Sequence, residues 1–522
     1  MTAVHFDPMC RIDIYSHFFT ITKYTPRIAG IVYKFSWKYT QSDFSRGNGR
    51  GGPVEKVPGR TYGVYNKFLM EFRFHIGQLK EMMELFSREM IEPHLYEWHV
   101  HELYEPATMA VLPNEAYNPY DYQLRAIDFI LAPDEEGDLR TRFIAMPTGT
   151  GKSLTAVRST TDERCRTRTL ICMQAKYLKK WPRDVTEYTT VSGKRVVVLK
   201  GSKEIRAVIS IARDGDVPYD YILVSMTTML NYIKDFEDNP ELCLEMYGLH
   251  PQKFCELLGI GQVIVDEAHE NLHGVYRLMV YTHVPKFIGL SGSLLHLDPF
   301  IERMQHMMFP KEMRFNEIKM KKYIQAYAIA YSFNDFEGSK IRTQEYGSST
   351  YSQTAFEQSI LKKKDLLQKY MEMIDYNVEF AYLRDYQPGD KLVIYAGRIE
   401  MCTAIAAYFK KRYPKLDVRR YADGDPYENL LDADIRVTTI LSGGTAHDIP
   451  NLRVVIMTNA IQSAQANIQV LGRLRELKDR DVKFVYLYCE QVKRHVDYHH
   501  QRKDLFKERV AGIKDYRCPV LV

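Results

Sequence analysis

The sequence contains no uninterrupted apolar run of about 18 residues or more, so no membrane-spanning helix is expected. Its opening residues, MTAVHFDPMCRIDIYSHFF, hold acids and no basic stretch ahead of an apolar run, which argues against a secretory leader. The eight cysteines (Cys10, Cys165, Cys172, Cys243, Cys255, Cys402, Cys489 and Cys518) are scattered and form no C-x-x-C pair. Neither a zinc site nor a disulfide framework is indicated, and a reducing, cytoplasmic compartment fits. No short-period repeat is visible. Strong net charge is missing too: at +5 the chain permits nucleic-acid binding without demanding it.

An apolar fraction of 45% excludes a disordered chain, and 522 residues exceed one ordinary domain, so roughly two to four are expected. The sixteen histidines raise metal hypotheses at His99/His101 and at His495, His499 and His500. No cysteine or acidic ligand set accompanies them, so surface histidines, the last three on a basic helix, are the expectation. Charge is unevenly spread. Bases dominate from Arg11 to Lys80, whereas Glu81 to Glu105 carries Arg88 against seven glutamates. This reads either as a basic module followed by an acidic connector or as ordinary solvated surface.

Residues 1 to about 110 are aromatic-rich, with a glycine-rich break at SRGNGRGGP (Ser45 to Pro53) expected as a loop or hairpin tip. Leu79, Met82, Met83 and Phe86 recur on one face and predict a helix over Leu79 to Met90. From about Tyr120 short apolar runs alternate with amphipathic stretches. FIAM, TLICM, VVVLK, YILVSM, QVIVD and KFIGLSG are strand candidates between Phe143 and Gly292; KLVIYAG, IRVTTILSG, VVIMTN and KFVYLY form a second series from Lys391. Continuous apolar strands separated by helices imply parallel sheets covered on both faces, in two α/β domains. The weak zone around Phe309 to Tyr323 is the expected boundary.

The stretch RFIAMPTGTGKSL places Thr148-Gly149-Thr150-Gly151-Lys152-Ser153 between a strand and a helix. Glycines let the backbone curl so that its N–H groups converge on a phosphate at a helix start. Lys152 would reach the β/γ-phosphates, and Ser153 would ligate Mg²⁺. The glycine expected five residues before Gly151 is absent; Met146 stands there. QVIVDEAHE supplies the complementary acids: Asp266 at a strand end to hold Mg²⁺ through water, and Glu267 to polarise an attacking water.

Asp266-Glu267-Ala268-His269 resembles the DEAH signature of superfamily 2 helicases and translocases, in which the first P-loop glycine is often missing. Further positions follow in the family's order. Tyr122-Gln123 looks like the motif whose glutamine reads adenine, and Ser291-Gly292-Ser293 like the motif coupling hydrolysis to movement. Met173 to Asp184 and Ser225 to Leu230 resemble nucleic-acid motifs, with Lys176, Lys179, Lys180 and Thr227 as phosphate contacts; a solvated helix face is the competing account. In the second half, NIQVLGRLREL offers Gln469, Gly472 and Arg473, resembling the motif that brings an arginine to the γ-phosphate. The family's next arginine falls where Glu476 stands. Arg475 is one residue early, about 100° away on a helix, and is read as a substitute or as a surface ion-pair partner. LSGGTAHDIP resembles the G-x-x-x-D-I-P motif: Gly444 and Asp448 fit a nucleotide contact, and Thr439 or Thr445 a nucleic-acid contact. Arg398, after KLVIYAG, is a further phosphate contact.

The resemblance implies two RecA-like parallel-sheet domains behind a small N-terminal α+β module, an α/β fold. The expected boundaries are 1–110 for a basic substrate-binding module, 111–312 and 313–490 for the two RecA-like domains, and 491–522 for a basic helical extension. The layout is similar to the UvsW-type phage recombination helicases, which implies ATP and Mg²⁺ as cofactors and branched DNA as partner. RNA as substrate, or a nucleotide-gated binding protein that no longer cycles, are the alternatives. A monomer with no membrane partner is expected.

Overall fold

The computed structural model describes residues 8–46, 54–133, 141–147, 149–215, 217–292, 298–316, 322–334, 338, 340–346, 350–422, 424–426, 428–443 and 449–522. They form two compact units, the first over Met1–Met146 and Thr150–Ile318, the second over Pro147–Gly149 and Lys319–Val522.

The first unit contains two sheets. One has seven strands in the order Val196–Leu199, Tyr221–Ser225, Thr169–Met173, Gln262–Val265, Lys286–Ser291, Thr141–Ala145 and Arg314–Phe315. Every neighbouring pair is parallel. Its six long strands are the six apolar runs read from the sequence. Five of them are buried along their whole length, as parallel strands covered by crossover helices must be. The short strand Arg314–Phe315 pairs with Thr141–Ala145, so the chain leaves this sheet only after Phe315.

The other sheet is N-terminal, in the order Val64–Asn66, Glu71–His75, Phe18–Thr22, Cys10–Ile14 and Tyr96–Val100; its last pair is parallel and the rest antiparallel. The helix Leu79–Arg88 lies where Leu79, Met82, Met83 and Phe86 predicted it, burying Met82 and Phe86. A helix the sequence reading missed, Pro26–Lys38, buries Ile28, Ile31, Val32 and Phe35; Thr25 caps it and Pro26 opens it. Strands Thr40–Arg46 and Val54–Thr61 pair antiparallel as hairpin arms, and residues 47–53 of the glycine-rich break lie outside the described residues.

These N-terminal elements do not stand apart. Phe19, Tyr62 and Phe74 belong to one continuous core with Phe143, Tyr276 and Phe287 of the seven-stranded half. Polar ties cross the same seam. Ser16 Oγ accepts from Val284 N–H (3.1 Å), and Arg73, buried and paired with Glu71 at 2.6 Å, donates to the Val280 carbonyl at 2.8 Å.

The second unit repeats the parallel theme: Val418–Tyr421, Ile435–Thr439, Lys391–Ala396, Leu452–Met457, Val482–Cys489, Ile324–Tyr331 and Gly512–Arg517, all parallel. The fold class is therefore two RecA-like parallel sheets with a small β-rich N-terminal part. Four strands of the second sheet are the expected ones. Residues 491–522 are more than a basic helix: helix Lys493–Phe506 is followed by strand Gly512–Arg517, which joins the sheet beside Ile324–Tyr331. The expectation of surface histidines on this helix is corrected for two of them. His495 and His499 are buried, facing Tyr351 and Tyr486 at 2.6 and 3.1 Å, because the helix turns that side to the sheet; His500 is exposed. Among the described residues no cluster of His, Cys, Asp or Glu could hold a metal ion by itself, and no helix is long and apolar enough to cross a membrane.

Removing Arg73 leaves Glu71 without its buried partner. Arg73→Ala is expected to cost about 3–5 kcal/mol, read by urea denaturation of the whole chain. Acid should weaken both units. Burial pushes His75 and His495 from 6.5 down to about 3. Below pH 6.5 the unfolded chain takes up protons that the folded chain refuses. Stability is thus full above the unfolded value and drains as pH falls towards the folded one, by up to about 1.4 kcal/mol per pH unit for each histidine. Denaturation midpoints between pH 7 and pH 5 test this, with a shallower slope expected for His495→Gln.

Candidate active site

In an open parallel sheet, side chains that act together collect beyond the carboxyl ends of the strands. In the first sheet five such ends carry predicted residues, those of Thr141–Ala145, Gln262–Val265, Lys286–Ser291, Thr169–Met173 and Tyr221–Ser225. After Thr141–Ala145 the chain turns through Gly149 (φ 86°) and Gly151 (φ 82°), both left-handed, and enters helix Lys152–Ser159. The glycines are needed there, since only they reach this conformation without strain. Gln123 fixes the turn from outside. It is buried, its Nε2 donates to the Thr150 carbonyl at 2.8 Å, and its Oε1 accepts from Tyr120 N–H at 2.8 Å. Both ends of this amide are thereby engaged within the chain. Tyr122 stands beside it, half-buried, its ring stacked on Tyr120 at 5.7 Å. Thr148 lies outside the described residues.

The acids follow strand Gln262–Val265. Asp266 Oδ2 accepts from the indole N–H of Trp181 at 2.8 Å, and Asp266 Oδ1 from the Glu267 N–H at 3.0 Å. Glu267 is left-handed at φ 48° although it is not glycine; strain of that kind is held in place by surrounding contacts and clusters at working sites. Its carboxylate lies 3.5 Å from Lys152 Nζ and 3.4 Å from His269 Nδ1. His269, also buried, meets Ser291 Oγ at 2.9 Å. The structure thus joins the DEAH histidine to the first serine of Ser291-Gly292-Ser293; Ser293 lies outside the described residues.

The two acids titrate in opposite directions. Burial, followed by the charge of Glu267, pushes the Asp266 carboxyl up to about 6. Burial also pulls Glu267 upward, but Lys152, His269 and the Gly292 N–H outweigh it and hold Glu267 below its ordinary value. A carboxyl raised this way marks a site short of positive charge. A second ammonium acts on Asp266 besides that of Lys152. Lys180 Nζ donates to Ser153 Oγ at 2.8 Å and lies 3.1 Å from Asp184 Oδ2. Lys180 was read as a phosphate contact on a nucleic-acid motif; here its ammonium sits on the hydroxyl assigned to Mg²⁺. The signal was present in KKWPRD, where lysine, tryptophan and aspartate fall on one turn, but without the sheet order nothing linked it to Ser153. Ser153, Asp266 and Asp184 offer hard oxygen donors around a spot that already attracts a cation, so they fit a divalent metal ion. The Gly149–Gly151 turn and the start of helix Lys152–Ser159 fit a phosphate.

Lys176 and Thr227, both exposed, line one cavity of 340 Å³ together with Asp266 and Glu267. Lys176 also lies 3.7 Å from Glu270. Lys179 is exposed and is not part of that lining.

In the second unit, helix Ala464–Leu471 carries Gln469 and ends at Gly472. Arg473 and Arg475 therefore follow the helix rather than lie on it, and the 100° argument about their spacing does not apply. Arg473 is buried; Arg475 donates to the Gly472 carbonyl. Arg398 precedes helix Ile399–Arg412 and pairs with Glu400 at 3.1 Å. Thr439 lines a 630 Å³ cavity with Gly397, Ser442 and Asn459. Gly444, Thr445 and Asp448 lie outside the described residues.

No protein-family model and no curated protein matches the chain. Solved structures do. S. cerevisiae Dbp5 bound to RNA and ADP BeF3 aligns with a TM-score of 0.49 and 11% identity over 77% of this chain and 90% of that one. A Dbp5 variant with the same ligands gives 0.49 and 11% over 78% and 91%. The variant bound to Gle1 and IP6 gives 0.46 and 12% over 77% and 89%.

An alanine Cβ at Gly151 would carry the left-handed penalty and meet Gln123 Nε2. Gly151→Ala is expected to cost about 1–2 kcal/mol or more, read by chemical denaturation.

Proposed function

We propose that this chain is an ATP-dependent nucleic-acid translocase of the superfamily 2 type, with DNA, branched or single-stranded, as its polymer. One observation supports the reading above the rest: Lys152, at the start of the helix after the glycine turn, faces Glu267 at 3.5 Å, beside the buried Asp266. A helix N-terminus with a lysine binds phosphates, and a carboxylate held ionised next to it can orient and deprotonate a water. In this reading Lys152 holds the β- and γ-phosphates, and Ser153 and Asp266 hold Mg²⁺, which would neutralise charge on the transferred phosphoryl group. Glu267 acts as base, and His269 with Ser291 keeps it aimed. The motif order from Tyr122 to Arg475 supports the DEAH family, and the layout supports the UvsW type. Lys176, Lys179, Thr227, Arg398 and Thr445 are the polymer contacts proposed. Gln123, Gly444, Asp448 and Gln469 are proposed for the nucleotide, and Arg473 and Arg475 as the guanidinium groups of the second unit.

Hydrolysis measured with single-stranded, duplex and forked DNA and with RNA tests this directly. Stimulation by DNA is expected; stimulation by RNA alone would reassign the polymer, and no turnover with any of them would overturn the motor. Lys152→Ala is expected to lower turnover by about 100-fold or more and to weaken nucleotide binding. Glu267→Gln should lose about 100-fold or more in turnover with nucleotide binding largely kept; hydrolysis at the parent rate would remove Glu267 from its role.

A further inference from the structure

Helix Pro26–Lys38 has an outer face that the fold does not explain. The helix contains no acid; it carries Arg27, Lys34 and Lys38. Facing solvent between them are Trp37, 59% exposed, and Tyr33, 43% exposed, one helical turn apart, with the Tyr65 ring 5.5 Å from Tyr33. Arg27 is held by the Glu89 carbonyl at 2.6 Å, which leaves its charge intact, and Lys38 pairs with Glu81. In the middle of this face stands Gly30. A Cβ built there meets nothing within 4 Å, and its φ is not positive. Neither space nor backbone conformation calls for glycine, although glycine inside a helix weakens it. An exposed glycine here leaves the helix backbone open to close approach.

We propose that this face seats an unpaired nucleic-acid strand. The sugar–phosphate backbone crosses at Gly30, Arg27, Lys34 and Lys38 draw its phosphates, and bases stack on Trp37 and Tyr33. Three cations, one of them paired with Glu81, favour a polyanion, and exposed aromatic rings among them select splayed bases over a closed duplex. The assignment rests on the nucleic-acid reading above and deepens it, since it gives the N-terminal part of the first unit its own strand contact, separate from the Lys152–Glu267 site.

The test is fluorescence anisotropy with full-length protein, without nucleotide, on labelled oligothymidylate, oligouridylate and a blunt DNA duplex. Gly30→Gln should raise the melting temperature, because it removes a helix glycine, yet weaken binding to the unpaired strands about ten-fold by blocking the crossing. Trp37→Ala should weaken the same strands about ten-fold and the duplex far less. Tryptophan emission of the parent should fall on adding oligothymidylate, and that fall should vanish in Trp37→Ala. Basal ATP hydrolysis should be unchanged in both variants. Parent-like affinity in Gly30→Gln, or equal losses on duplex and single strand in Trp37→Ala, overturns the proposal while leaving the motor reading intact. A parent protein that binds none of the three polymers overturns both.

Discussion

The first unit is organised around a shortage of positive charge. Two adjacent carboxylates, Asp266 and Glu267, are turned inward at the end of one strand, where burial penalises both. Two like charges at that depth cannot both ionise unless cations lie close. Lys152 arrives from the end of a strand two places away in the sheet, and Lys180 from the helix after a third strand. Glu267 takes the nearer ammonium and stays ionised; Asp266 is left under-compensated and rises. Trp181, His269, Ser291 and the Gly292 N–H then fix where each acid points. None of these groups could meet without the parallel strand order, which turns separations of more than a hundred residues into a few ångströms. The unequal titration of the pair follows from that packing: Glu267 is held ionised beside Lys152, and Asp266 is raised by burial and by its neighbour's charge.

What was legible in the sequence follows from how strongly each segment is buried. Runs such as FIAM, QVIVD and KFIGLSG are closed off on both faces, so nearly every residue had to be apolar and the strand was plain. Val418–Tyr421 and Gly512–Arg517 lie at sheet edges, and the latter is largely exposed; VRRY and GIKDYR carry no apolar signal because no second face is covered. Ile324–Tyr331 was hidden by its alternation of alanine with tyrosine and by Gln325. Of the site, the glycine turn, Lys152 and the DEAH acids were readable because spacing along the chain carries them. Lys180 on Ser153, Trp181 on Asp266 and His269 on Ser291 were not, since each joins different strand ends. The reading of Arg473 and Arg475 as helical failed for a local reason: leucines at 471 and 474 kept the apolar period going past Gly472, where the helix stops.

The N-terminal hundred residues show the same limit in another form. Their charge and aromatic content suggested a separate module. The aromatics turn out to be core: Phe19, Phe74 and Tyr62 pack in a continuous interior with Phe143 and Phe287. His17 sits 3.3 Å from Thr141 and its ring 5.7 Å from that of Phe287, against the strand leading to the glycine turn and the strand ending in Ser291. A close-packed interior has little compressibility and passes displacement on. A strand held on helix Pro26–Lys38 would therefore pull on the same sheet that carries Lys152, Glu267 and Ser291. In such an arrangement the N-terminal sheet is better understood as an extension of the first unit's rigid body than as a tethered accessory. The positive face it presents is then fixed in direction relative to the carboxyl ends of the parallel strands, as a grip used together with them requires.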